Sequence, residues 1–107
     1  MSSRFMRLLV FFDLPVVKYE DRKEYQKFRR FLINDGYNMV QLSVYSRICN
    51  GNEGTNKHIS RLIHNLPQKG SVRYLQITEK QYTQMKFLVG KQKPQEKKVK
   101  ATQLSIF

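Results

Sequence analysis

The chain has a single cysteine, Cys49, eight acidic residues against twenty Lys and Arg, and no hydrophobic run long enough to cross a bilayer. One thiol can form neither an internal disulfide nor a paired-cysteine zinc site, so Cys49 reads as a structural, semi-buried thiol. The densest apolar stretch, Leu8 to Phe12, is stopped by Asp13 and Pro15. That is far short of the ~20 residues a spanning helix needs, so a soluble chain with no membrane span is expected. The opening Met1-Ser2-Ser3-Arg4 runs into a strand-like segment without the cleavage pattern of a secretory leader, which points to the cytoplasm. A glycine-rich phosphate loop, a nucleophile elbow and an internal repeat are also missing. Nucleotide hydrolases and zinc enzymes therefore find no support.

The shortage of acids leaves a formal net charge of +12 on 107 residues. Such a charge repels itself in a compact particle unless a polyanion sits against it, so nucleic acid or acidic lipid is the expected partner. The excess is uneven. Residues 1–54 carry 9 basic and 6 acidic side chains, whereas residues 55–107 carry 11 and 2. The length suits one domain that buries a core without metal or disulfide staples.

Hydrophobic periodicity divides the chain. Arg7 to Phe12 is a β-branched and aromatic run ended by Asp-Leu-Pro, the pattern of a buried strand leaving a sheet at Asp13. Tyr25, Phe28 and Leu32 recur at helical spacing between about Glu20 and Asp35, with Glu20 and Asp21 in the first turn and Gly36 as a stop. Met39 to Arg47 alternates as one strand, with Val40, Leu42 and Val44 on one face. Asn50 to Gly54 reads as a break before a second amphipathic helix built on Ile59, Leu62, Ile63 and Leu66. Val72 to Thr78 is a further strand, and Thr78-x-x-Gln81 has capping-box spacing for a short helix through about Phe87. The expected organisation is a domain over residues 1–90, then a basic linker and terminal strand over 91–107. Lys91 to Lys100 contains five Lys and Pro94, and Thr102 to Phe107 returns to strand alternation. A strand on such an arm suits pairing with another chain's sheet edge.

Two features could carry function. Projected at about 100° per residue, Lys23, Lys27, Arg30 and Asn34 share the outer face of the first helix, with Arg22 and Arg29 flanking its apolar stripe. Lys57, Arg61 and His64 do the same on the second helix. Helices on one side of a sheet, as right-handed crossovers require, would join these faces into a basic layer suited to phosphates. The plain alternative is that the charges only solvate the helix backs. Asp13 ends an apolar strand, where a functional edge often lies. A lone carboxylate is too few ligands for a magnesium ion unless a two-fold dimer brings a second copy beside it; otherwise it caps the following turn. His58 and His64 are spaced to lie on different sides of a helix and read as surface residues. An RNA-recognition motif is disfavoured, because Ser71 to Ile77 lacks its Gly-Phe-Gly-Phe pattern.

Four segments in register carry a resemblance: Leu9-Val10-Phe11-Phe12-Asp13-Leu14-Pro15, Tyr25-Gln26-Lys27-Phe28-Arg29-Arg30-Phe31-Leu32, Gln41-Leu42-Ser43-Val44-Tyr45 and Ile77-Thr78-Glu79-Lys80-Gln81-Tyr82. Together they resemble the CRISPR-associated protein two family, in the branch from systems with a single large effector nuclease. The resemblance runs from about Arg4 to Gly90. It implies an α/β (α+β) ferredoxin-like βαββαβ domain with an extra C-terminal strand, forming a homodimer with its sheets face to face. It implies Asp13, Ser43 and Tyr45 as catalytic residues near one cleft, with Asp13 also the metal ligand, one from each protomer on a shared Mg2+. The activity implied is endonucleolytic, on RNA or double-stranded DNA. Some nuclease-active relatives carry a basic residue where Met39 stands here. The family also bridges two dimers of the CRISPR integrase, CRISPR-associated protein one, during spacer acquisition. In that role Arg22, Lys23, Lys27, Arg29, Arg30, Lys57 and Arg61 would be the contacts to double-stranded DNA. The alternative left open is a basic RNA-binding or ribonuclease module outside CRISPR adaptation.

Overall fold

The computed structural model describes residues 5–91. The arm expected over 91–107 therefore lies, beyond its first residue, outside the described residues. Seven elements follow in order: β1 (Phe5–Asp13), α1 (Tyr19–Asn34), β2 (Asn38–Gln41), β3 (Val44–Asn50), α2 (Gly51–Ile63), β4 (Ser71–Thr78) and α3 (Glu79–Thr83). The strands form one antiparallel sheet in the order β2-β3-β1-β4. With α1 and α2 inserted after β1 and β3, this is the expected mixed α+β, ferredoxin-like arrangement.

Both long helices pack on the same face of the sheet. Leu8, Val10 and Phe12 of β1, Tyr45 and Cys49 of β3, Phe28 and Leu32 of α1 and Leu62 of α2 make one buried cluster. Phe12 sits at its centre, edge-on to Phe28 at 5.3 Å and stacked on Tyr45 at 5.6 Å. The i, i+4 spacing of Phe28 and Leu32 places both on the stripe that α1 buries. α3 begins with the expected capping box, in which Thr78 Oγ1 accepts from the Gln81 backbone N–H and Gln81 Oε1 accepts from that of Thr78. The helix ends at Thr83 rather than near Phe87.

Three readings of the periodicity are corrected. The alternation from Met39 to Arg47 is two strands of a hairpin, turned at Leu42 and Ser43, with Leu42 exposed and Ser43 at a φ of 66°. Two paired strands each alternate, so their joined pattern imitates one strand. Asn50 to Gly54 is no break, because α2 starts at Gly51. Its buried stripe is Thr55, His58 and Leu62, with Ile59 half-buried, while Ile63 and Leu66 are exposed.

His58 is accordingly not a surface residue. Its Nδ1 meets Asp35 Oδ2 at 2.9 Å, and Arg61 Nη1 donates to Asp35 Oδ1 at 2.8 Å. Arg47 of β3 donates to the Asp35 backbone oxygen. This network ties the C-terminal end of α1 to α2 and the sheet. Burial pushes the His58 imidazole below its ordinary value, against the raising effect of its hydrogen bond to Asp35. Cys49 is also buried, and burial pushes its thiol up, as expected for a structural cysteine. Among the described residues no helix is long and apolar enough to cross a membrane.

Candidate functional site

The sheet face away from α1 and α2 carries the alternate residues of the same strands. Cross-strand pairing sets Phe11 opposite Val44 on one side and Arg73 on the other, and Leu9 opposite Ser46 and Leu75. Asp13, at the last position of β1, pairs with Ser71. The two ends of this face differ. At one end α3 folds over Arg7, whose guanidinium lies 4.0 Å from the Tyr82 ring centre and donates to Glu79 through Nε (2.9 Å) and Nη2 (2.6 Å). At the other end the face is bare among the described residues, with Phe11 37% and Leu75 50% exposed.

A shallow groove runs across the bare end, lined by Phe11, Asp13, Ser43, Val44, Ser71 and Arg73, among others. Asp13 stands exposed there, with no hydrogen bond or ion pair to its carboxylate among the described residues. Two local features set its position. Gly70, at a φ of 87°, passes so close that a side-chain carbon would collide with the Asp13 carbonyl oxygen. The amide of Phe12 donates to the Ser43 carbonyl at 3.0 Å, which draws the β2–β3 turn against the end of β1. The groove thus joins a carboxylate, two serine hydroxyls and one guanidinium on an apolar floor. Such a surface can receive a phosphodiester from one side and a cation from the other.

The residues picked out by sequence are brought together only in part. Asp13 and Ser43 share the groove. Tyr45 lies on the opposite, helix-covered face at 1% exposure, where its hydroxyl accepts from Arg29 Nε at 2.9 Å. Arg73 is in the groove although the sequence reading did not select it. Its position two residues after Ser71, on the strand that pairs with Asp13, was the available signal. Among the described residues of the single chain no three His, Cys, Asp or Glu side chains are grouped to hold a cation.

α1 and α2 cover one face of the sheet, and Lys23, Lys27, Arg30 and Lys57 are exposed on them. Lys23 approaches the Tyr19 ring at 5.6 Å. Lys27, Arg30 and Lys57 have no hydrogen-bond or ion-pair partner among the described residues. Arg22, Arg29 and Arg61 instead bond within the chain.

Comparison with known proteins agrees with this architecture. The family model described as CRISPR associated protein Cas2 matches residues 6–85. A relative named "CRISPR-associated endoribonuclease Cas2" from Acidovorax ebreus is 60% identical over 102 residues, covering 95% of this chain and 100% of the relative. One of the same name from Ligilactobacillus salivarius is 51% identical, covering 80% of this chain and 85% of the relative. Another, from Flavobacterium psychrophilum, is 39% identical over 97% of this chain and 90% of its own length.

Proposed function

This chain belongs to the CRISPR-associated protein Cas2 family, and on that premise we propose that it is a CRISPR-associated nuclease that acts on nucleic acid as a homodimer. The observation that carries this reading is Asp13, an exposed carboxylate with no hydrogen-bond or ion-pair partner among the described residues, at the end of a largely buried strand and in a groove with Ser43, Ser71 and Arg73. The names of the relatives supply the reaction class, endonucleolytic cleavage of RNA.

One Asp13 is one ligand, and Mg2+ needs more oxygen donors than that. Two copies meeting at the bare end of the open face would set two carboxylates on a shared axis, each contributing the same residue. A magnesium ion held there would supply an activated water and neutralise the charge that develops on the phosphate. The chain's own groups would do the rest. Ser43 and Ser71 hydroxyls can donate to the non-bridging oxygens, and Arg73 can balance the second negative charge. The exposed Phe11 and Leu75 would be covered by the second copy.

The test incubates the protein with labelled RNA and labelled duplex DNA, with and without Mg2+, beside Asp13→Ala. Metal-dependent cleavage should fall by more than about 100-fold in the variant while binding persists. Equal cleavage by the two proteins would contradict the role of Asp13.

A second role is favoured by Lys27, Arg30 and Lys57, which have no hydrogen-bond or ion-pair partner among the described residues. Their faces suit the backbone of duplex DNA, as in a bridge between integrase dimers that holds DNA for spacer acquisition. With six or more phosphates bound by the dimer, affinity should fall about 1,000-fold between about 50 and 200 mM salt. A flat salt dependence would remove this reading. Preference for single-stranded RNA without capture of the integrase would favour an RNA-binding module instead.

A further inference from the structure

Three arginines of the basic layer bond within the chain, two through Nη1 and one through Nε. Arg22 uses Nη1, on the carbonyl oxygens of Val17 (2.6 Å) and Val16 (3.3 Å). Arg61 also uses Nη1, on the Asp35 carboxylate at 2.8 Å, which cancels its charge. Arg29 is held through Nε, which donates to the Tyr45 hydroxyl at 2.9 Å. A guanidinium presents five N–H donors in one plane. With Nε taken by a neutral oxygen, Arg29 keeps its charge and the donors on both Nη atoms, none of which has a partner among the described residues.

The oxygen that holds Arg29 is itself fixed. Tyr45 is almost wholly buried, and its ring stacks on Phe12 with the planes 30° apart. Phe12 is locked in turn by Phe28, one residue before Arg29 on α1. Arg29 is half-buried at the edge of the helix's apolar stripe, so its stem is packed as well. A long cationic side chain ordinarily loses rotamer freedom when it grips a phosphate. Here that freedom is already reduced in the unbound chain. The remaining edge of the guanidinium, with two N–H groups side by side, matches the bidentate geometry of a phosphate.

We propose that Tyr45 is a positioning residue for nucleic-acid binding, holding Arg29 through Nε so that its two Nη groups form a ready-made fork for one backbone phosphate. The proposal rests on the reading of the α1 face as a nucleic-acid surface. It gives Tyr45 a role on the helical side of the sheet, away from the Asp13 groove.

The experiment titrates labelled duplex DNA with the full chain over a range of salt, using Tyr45→Phe, Arg29→Lys, Arg29→Ala and the double variant Tyr45→Phe/Arg29→Ala. Thermal melts accompany each, and binding is read well below every transition. Tyr45→Phe keeps the ring and the positive charge, so affinity should drop about three- to ten-fold with an unchanged salt slope. Arg29→Lys, which keeps the charge and loses the fork, should behave likewise. Arg29→Ala should lose more, with the slope shallower by about 0.9 for each phosphate released. In that background Tyr45→Phe should cost nothing further. A further loss in the double variant would mean that Tyr45 acts through packing and would overturn the proposal. So would wild-type affinity in Tyr45→Phe while Arg29→Ala binds weakly. Absent or salt-insensitive binding by the wild type would overturn the nucleic-acid reading of this face and the proposal with it.

Discussion

The two faces of the sheet are made from alternate residues of the same strands, yet they end in opposite conditions. On the helix-covered face Leu8, Val10, Phe12 and Tyr45 are sealed under α1 and α2. On the open face α3 closes one end, laying Tyr82 and Glu79 over Arg7. Among the described residues nothing covers the other end, where Phe11, Leu75, Arg73 and Asp13 are exposed. The difference separates two jobs. One face supplies cohesion and carries the basic helices. The other presents a carboxylate that has no hydrogen-bond or ion-pair partner among the described residues.

Substitutions can break or sharpen that contrast. The largest stability effect belongs to the covered face. Phe28→Ala should cost about 3–5 kcal/mol of unfolding free energy in denaturant titration. Leu75→Ala on the open face should cost less than about 1 kcal/mol for the isolated chain while weakening self-association measured by sedimentation. Equal losses at the two positions would erase the distinction.

A smaller effect is expected where α3 is fastened. Glu79→Gln removes the charge and one of the two accepting oxygens of a charge-assisted pair whose Arg7 side chain is only 8% exposed, and should cost about 1–3 kcal/mol. It should also raise hydrogen exchange in α3 without changing that of α1. The smallest effect is a pH dependence on the covered side. Burial lowers the His58 pKa from 6.5, so the unfolded chain binds a proton there more readily than the folded one. Stability from neutral His58 is present above pH 6.5 and is lost as pH falls below it, towards the depressed value. His58→Gln should flatten that limb of the stability profile. A profile unchanged by the substitution would place the acid sensitivity elsewhere.

Elements with local signals were legible in the sequence. Phe28 and Leu32 announce α1, Thr78 and Gln81 announce α3, and Asp13 marks both the end of β1 and the groove. Features that depend on distant partners were not. Ser43 adopts a positive φ without glycine or asparagine to advertise a turn, so the hairpin was hidden in a continuous alternation. His58 looked like one more exposed basic residue because its partner, Asp35, lies 23 positions away. Gly51 and Gly54 looked like breakers yet lie in the first turn of α2, where the buried Thr55 returns a hydrogen bond to Gly51 at 2.8 Å. Arg73 entered the groove through strand pairing alone.

The paired Asp13 is tested most directly by mixing. Wild-type and Asp13→Ala chains are unfolded together, refolded at several ratios, and assayed for Mg2+-dependent cleavage. If both carboxylates must meet on one metal, activity follows the square of the wild-type fraction, so an equal mixture retains about one quarter. A linear fall, with about one half retained, would mean that each chain carries a complete site and would contradict a shared one.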